Sequence, residues 1–197
     1  MTQTARSGAS GITRAALSFR SVNHRLSADF DDGLQRHHLL PVQLVSSRCF
    51  GRLFDALGRD RIGFDDFRSN GLLLPCRESA ALQLAMPLHR GPHRNYNALV
   101  IERVGQVETA WAASRARQPD KALEDALMRL GLLQKALRRR LLDSRRRWSL
   151  NRYDPAFRVV DFSELDALAG ALWPATESVL REVQYPADRS ASALLAA

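Results

Sequence analysis

The sequence reads RHHLLP at residues 36–41, and this stretch sets the expectation for the fold. Four of the five histidines in the chain fall in two short clusters, His37 with His38 and His89 with His93. Imidazole is a common ligand for divalent metals and the side chain best suited to proton transfer near neutral pH. A lone histidine is more often a polar residue at a core edge, but two clusters together indicate a metal site beside a general base.

Two further motifs follow this stretch, SNGLLLP at residues 69–75 and PLHRGPHRNYN at residues 87–97. The first contains an Asn-Gly pair, which is typical of a tight hairpin turn, ahead of a short apolar run that Pro75 closes. In the second, Gly91 and Pro92 are typical of the start of a helix. The pattern predicts a turn and a short strand, and then a helix from about residue 93 to about residue 115.

Apolar residues recur at helical spacing in two other regions. They predict one helix over residues 42–57 and a long helix over about 119–147. A further helix-like segment lies at Ser163 to Leu172, before an alanine-rich end.

In this order, the three motifs resemble the AHH family of HNH/endonuclease VII nucleases. The resemblance covers roughly Leu34 to Val104, and Arg36 stands where the family has alanine. It implies an α+β fold with an HNH-like (ββα-metal) nuclease core, a short β-hairpin and several packed helices. It also implies an endonuclease in which the hairpin and the following helix clamp one divalent ion, Mg²⁺, Mn²⁺ or Zn²⁺, against the scissile phosphate.

The resemblance also assigns roles to three residues of the first two motifs. His38 would be the general base that takes a proton from the attacking water, and His37 the neighbouring histidine on the metal side. Because adjacent residues of a strand point to opposite faces, the order of these two roles stays open. Asn70 matches the central asparagine that ties the hairpin together and orients the base; the alternative is that Asn-Gly only forms a turn.

In the third motif, the resemblance makes His93 the principal metal ligand, on the first turn of the helix. His89 is a provisional ligand, because Gly91 and Pro92 place it before that helix; the alternatives are a contact with phosphate or a supporting place beside the ligands. Asn97 lies four residues after His93 on the same helix face, where it would complete coordination or hold substrate. Tyr96 faces elsewhere and is expected to pack in the core.

The net charge of +8 comes almost wholly from arginine, whose planar guanidinium suits phosphate oxygens. The candidate nucleic-acid contacts are Arg90, Arg94, Arg138, Arg139, Arg145 and Arg146. The arginine triplets at 138–140 and 145–147 lie about two helical turns apart, so part of each would share one helix face. The alternative is a solvated basic end of the helix.

We expect three parts in the chain: a flexible lead-in at 1–32, a nuclease core at 33–115, and a helical extension at 116–197 with a basic helix and an acidic, partly flexible tail. No separate reader of base edges is visible, so cleavage of DNA or RNA with low sequence specificity is predicted. The alternative is a catalytically silent nucleic-acid-binding protein that keeps the fold.

No apolar run approaches the ~20 residues that span a bilayer, and no signal peptide is recognisable. A protein that is cytoplasmic as synthesised, without a membrane partner, is therefore expected. The AHH family is known mostly from bacterial polymorphic-toxin systems. The resemblance thus implies a toxin effector with a cognate immunity protein, delivered to target cells by a specialised secretion route.

Overall fold

The computed structural model describes residues 15–46, 50–156 and 167 of the chain. Within them lie two strands, β1 (Leu34–His38) and β2 (Gly71–Pro75), and seven α-helices. The helices are α1 (Gln43–Ser46), α2 (Gly51–Leu57), α3 (Arg59–Ile62), α4 (Phe67–Asn70), α5 (Glu78–Gln83), α6 (Arg94–Ser114) and α7 (Pro119–Leu141). A short hairpin surrounded by helices confirms the α+β, HNH-like class expected from the sequence.

The two strands pair antiparallel, with Leu34 opposite Pro75 and His38 opposite Gly71. The chain between them, residues 39–70, carries α1 to α4, so a long connection and not a tight turn joins the strands. The predicted Asn-Gly turn is therefore wrong. Gly71 begins β2 with an extended φ of −108°. Its Cα lies so close to the Phe67 ring that a Cβ on this residue would collide with the ring.

Helices α6 and α7 pack against each other and supply much of the core. The buried residues of α7 recur at spacings of three and four: Ala122, Ala126, Leu130, Leu133, Leu137 and Leu141. Each fully buried leucine stabilises the fold by roughly 1.5–3 kcal/mol. The Gln134 side chain on the same face donates to the Ile62 carbonyl oxygen at 3.3 Å, which attaches α7 to the connection between the strands.

Two of the predicted helices have different bounds. Helix α7 ends at Leu141 and not at residue 147, and Asp143 then accepts a hydrogen bond from the Arg145 backbone nitrogen at 3.0 Å. Such a side-chain bond favours a turn over further helix. Residues 145–147 thus lie beyond α7, and the expectation of one helix face shared with 138–140 is wrong.

The region predicted as one helix at 42–57 contains α1 and α2, with residues 47–49 between them outside the described residues. The predicted helix-like segment from Ser163 to Leu172 lies outside them except for residue 167. Helix α6, at Arg94–Ser114, confirms the helix predicted after Pro92. Gly91 before it has a φ of +79°, a conformation that glycine adopts without strain.

The N-terminal segment from residue 15 packs more closely than the sequence predicts. Leu17 donates its backbone N–H to Asp66 at 2.9 Å, and Phe67 donates its own to the Leu17 carbonyl at 2.7 Å. Arg36 on β1 donates to the Phe19 carbonyl at 2.8 Å. Residues 17–19 therefore lie against α4 and the outer face of β1. The three-part division of the chain remains a prediction, and residues 1–14 lie outside the described residues.

None of the described helices combines the length and the apolar character that crossing a membrane requires.

Candidate active site

Three of the predicted histidines come together between the hairpin and α6. His37 lies on β1, His89 in the loop after α5, and His93 at the residue that caps the start of α6. One ring nitrogen from each lies within 4.8 Å of the other two. The ring centroids are 5.0 Å apart for His37 and His89, 5.6 Å for His37 and His93, and 4.6 Å for His89 and His93. We call these three residues the histidine cluster.

Local structure explains how each ring reaches the cluster. His37 pairs with Leu72 across the hairpin and is only 4% exposed, so its ring lies on the face of β1 that packs inward. His89 donates its backbone N–H to the Pro75 carbonyl at 2.7 Å, which attaches its loop to the end of β2. The His93 carbonyl accepts the backbone N–H of Asn97 at 2.8 Å and so opens the hydrogen bonding of α6.

The ring nitrogens of the cluster fit a divalent metal. Nε2 of His37 and Nδ1 of His93 are buried without a hydrogen-bond partner among the described residues. Nδ1 of His89 lies 3.0 Å from Oε1 of Gln35. An amide oxygen only accepts, so this contact favours a proton on Nδ1 and a free lone pair on Nε2. Buried, unpaired imidazole nitrogens that converge are the donor set that transition metals prefer.

The pKa values of all three histidines also favour a ligand role. Burial, followed by the nearby His89 and His93, holds the pKa of His37 well below its usual 6.5. Burial lowers the pKa of His89 to about 4, with smaller contributions from His93 and His38. Burial likewise lowers the pKa of His93, against an opposing hydrogen bond to the Leu150 backbone. The rings are therefore neutral near pH 7, as metal binding requires.

His38 lies outside the histidine cluster, on the opposite face of β1. Its ring stacks on the Phe19 ring, with centroids 3.8 Å apart and planes only 2° from parallel. Burial is the main cause that lowers its pKa; Asp65 acts against this and Arg36 adds to it. The charge of a protonated His38 is also among the causes that lower the pKa values of His89 and His37. His38 is thus a neutral, half-buried imidazole beside the three, and not one of them.

Asn70 is fully buried, and its side chain holds the segment that follows His38. Its Oδ1 accepts the backbone N–H of Leu40 at 2.7 Å, and its Nδ2 donates to the carbonyls of Phe64 at 3.0 Å and Leu40 at 3.3 Å. Its own carbonyl accepts the N–H of Leu39 at 2.8 Å. Within the described residues none of these bonds reaches a histidine ring. Asn70 therefore holds the backbone that follows His37 and His38, and does not contact their rings through a hydrogen bond.

Two other residues of the third motif lie near the cluster. The Asn97 side chain is half-buried, and its Nδ2 donates to Gln43 at 3.4 Å. Tyr96 is buried as expected and donates its hydroxyl to the Leu39 carbonyl at 2.7 Å. Its ring centroid lies 4.9 Å from that of His37, so it also packs against the cluster.

The candidate arginines differ in how far the fold uses them. Arg90 and Arg94 are exposed at the loop and at the first turn of α6, next to the cluster. Arg138 is half-buried, and its guanidinium donates to the Arg68 carbonyl at 2.7 Å, so it attaches α7 to α4. The others, Arg139, Arg145 and Arg146, are exposed.

Sequence reasoning missed Gln35, the partner of the His89 ring. The sequence does place Gln35 on the side of the strand that carries His37, because residues two apart on a strand share one face. Sequence reasoning also missed Asn151 and Asp154, which bond to the backbone beside His89. They are more than sixty residues distant in the chain, and no periodicity could have shown this contact.

A two-stranded hairpin and a later helix, with histidines on the first strand and at the cap of the helix, are features of the HNH-like class of nuclease folds. Residues 27–137 match the model of AHH, a nuclease family of the HNH/ENDO VII superfamily with conserved AHH. This match covers more than half of the chain, and the chain belongs to that family. The searches of curated proteins and of solved structures find no match to this chain.

The structure accounts for the one departure from the family motif. Arg36, in the place of the alanine, points to the outer face of β1 and donates to the Phe19 carbonyl. The inward face, which carries His37, is unaffected by the substitution.

Proposed function

We propose that this nuclease is a metal-dependent endonuclease that hydrolyses phosphodiester bonds of DNA, with RNA as the second candidate substrate. The observation that carries the proposal is the convergence of His37, His89 and His93, whose ligating nitrogens lie within 4.8 Å of one another. Nucleases of the HNH/ENDO VII superfamily are metal-dependent. Mg²⁺, Mn²⁺ and Zn²⁺ are the candidate ions.

In this proposal the histidine cluster holds the ion, with Asn97 at its edge as a further ligand or substrate contact. A bound divalent ion would neutralise the negative charge that develops on the phosphate and on the leaving oxygen. His37 is assigned to the ligands because its free Nε2 is buried inside the cluster. His89 is assigned as a metal ligand on the same footing as His37 and His93, since the centroid of its ring lies only 4.6 Å from that of His93.

His38 is the general base in this proposal and takes a proton from the attacking water. A base must be unprotonated at the working pH, and burial lowers the pKa of His38 in the required direction. The Phe19 stack fixes the plane of its ring. Asn70 supports both histidines through the backbone of Leu39 and Leu40.

Substrate binding in this proposal uses the exposed arginines around the cluster. Arg90 and Arg94 lie beside the metal ligands and would bind phosphates adjacent to the scissile one. Arg139, Arg145 and Arg146 would extend the contact along the nucleic-acid backbone. Arg138 donates to the Arg68 carbonyl. Contacts to phosphate carry no sequence information, which is why low sequence specificity is expected.

Cleavage of a supercoiled plasmid tests the proposal. The wild-type protein is expected to nick the plasmid with Mg²⁺, Mn²⁺ or Zn²⁺ and to lose this activity in EDTA. His38→Ala should bind DNA normally but fail to cut it, whereas the matched variant of an exposed histidine, His24→Ala, should cut at the wild-type rate. DNA binding without cleavage by the wild type would support a silent binding protein instead, and full activity of His38→Ala would refute the base assignment.

From the family resemblance we also propose a role as a bacterial toxin effector with a cognate immunity protein. Expression in bacteria should then arrest growth, and the His38→Ala variant should be tolerated. Normal growth during expression of wild-type protein that is active in the plasmid assay would refute the toxin role but not the nuclease.

A further inference from the structure

The backbone of Leu88, one residue before His89, is held from both sides by side chains more than sixty residues later in the chain. Asp154 Oδ2 accepts the backbone N–H of Leu88 at 2.7 Å. Asn151 Nδ2 donates to the carbonyl of the same residue, also at 2.7 Å. Leu88 has no exposed surface, so both bonds are shielded from water.

The two side chains that hold Leu88 are themselves fixed. Oδ1 of Asp154 accepts a hydrogen bond from Arg147 at 2.7 Å and another from the backbone of Ala156 at 2.9 Å. The side chains of this ion pair are 11% exposed for Arg147 and 0% for Asp154. Asn151 uses its Oδ1 to accept the backbone N–H of Tyr153 at 2.9 Å. A buried charge with several hydrogen bonds has one well-defined position.

The same segment also lies beside the loop between His89 and His93. Within this loop, Gly91 lies beside Tyr153, since a Cβ on that glycine would be 4.0 Å from the tyrosine ring. We call residues 147–154 the C-terminal clasp.

We infer that the C-terminal clasp positions the histidine cluster, with Asn151 and Asp154 setting the distance of His89 from His37. The inference rests on the proposed metal-dependent function. The clasp lies beyond residues 27–137, the part that matches the family model, so membership of the family does not supply it. Within the described residues, the hydrogen bonds of these two side chains do not reach a histidine of the cluster; both side chains act through the backbone of Leu88.

The test is Zn²⁺ binding by the full-length, metal-free protein, measured by isothermal titration calorimetry at pH 7. Asn151→Ala removes both hydrogen bonds of the side chain. Asn151→Asp keeps the acceptor for Tyr153 but removes the donor to Leu88. Both variants should bind Zn²⁺ about tenfold more weakly or worse. The matched control is Val107→Ala, a buried position in the later part of α6, which lowers stability without touching the loop.

The outcomes separate this inference from the proposed function. Wild-type affinity for Zn²⁺ in both Asn151 variants would overturn the inference. So would a loss of Zn²⁺ affinity in Val107→Ala equal to that of the Asn151 variants, when the variants have similar melting temperatures. Weak binding in the Asn151 variants alone supports it. Failure of the wild type to bind Zn²⁺, Mn²⁺ or Mg²⁺ would instead refute the proposed metal site.

Discussion

Acidification should destabilise the metal-free protein through His89. Its pKa is about 4 in the folded state, against a usual value of 6.5. Between these pH values the unfolded chain binds a proton at His89 that the folded chain does not. The contribution of His89 to the free energy of unfolding is therefore fully present above pH 6.5 and is lost as the pH falls towards 4. For this pair of values the loss from pH 7 to pH 5 is about 2 kcal/mol, at 1.36 kcal/mol per pKa unit. The lowered pKa of His37 adds a loss of the same sign.

Urea denaturation in EDTA at pH 7 and pH 5 measures this loss. We expect His89→Gln to lose about 2 kcal/mol less than the wild type between the two pH values, because glutamine does not titrate. His24→Gln, at an exposed histidine outside the cluster, should lose as much as the wild type. Equal losses in the wild type and His89→Gln would refute the burial of a neutral histidine at this position.

Three other variants test separate parts of the site. His38→Gln should lower the cleavage rate about 10²- to 10⁴-fold with unchanged Zn²⁺ affinity; a matching fall in Zn²⁺ affinity would instead make His38 a ligand. Asn70→Ala should lower the free energy of unfolding by about 2–4 kcal/mol in a urea titration, because it leaves buried groups of Leu40 and Phe64 unpaired. Arg94→Ala should reduce the slope of log affinity against log salt for a DNA duplex by about 1, measured by fluorescence anisotropy in EDTA; an unchanged slope would exclude a phosphate contact.

The sequence predicts those parts of the site whose signal is local. The apolar run before Pro75 predicts β2, and Gly91 with Pro92 predicts the start of α6, because both depend on nearby backbone preferences. The two pairs of histidines in the sequence stand out for the same reason, because four of the five histidines lie in two short segments.

The parts that depend on distant contacts could not be predicted in this way. The Asn-Gly pair at residue 70 is typical of a turn, yet tertiary structure uses Asn70 to hold Leu40, thirty residues earlier. Glycine follows it because the Phe67 ring leaves no room for a Cβ. His89 is only a provisional ligand from the sequence, because Gly91 and Pro92 place it before the helix; the loop that carries it nevertheless brings its ring to within 4.6 Å of the His93 ring, measured between centroids.

Anomalous diffraction from crystals of the wild-type protein soaked in Mn²⁺ or Zn²⁺ tests the central claim most directly. The account predicts one strong peak within bonding distance of nitrogens from His37, His89 and His93, with His38 outside the coordination sphere. A peak bound by His38 without His37, or no peak at the histidine cluster, would contradict it.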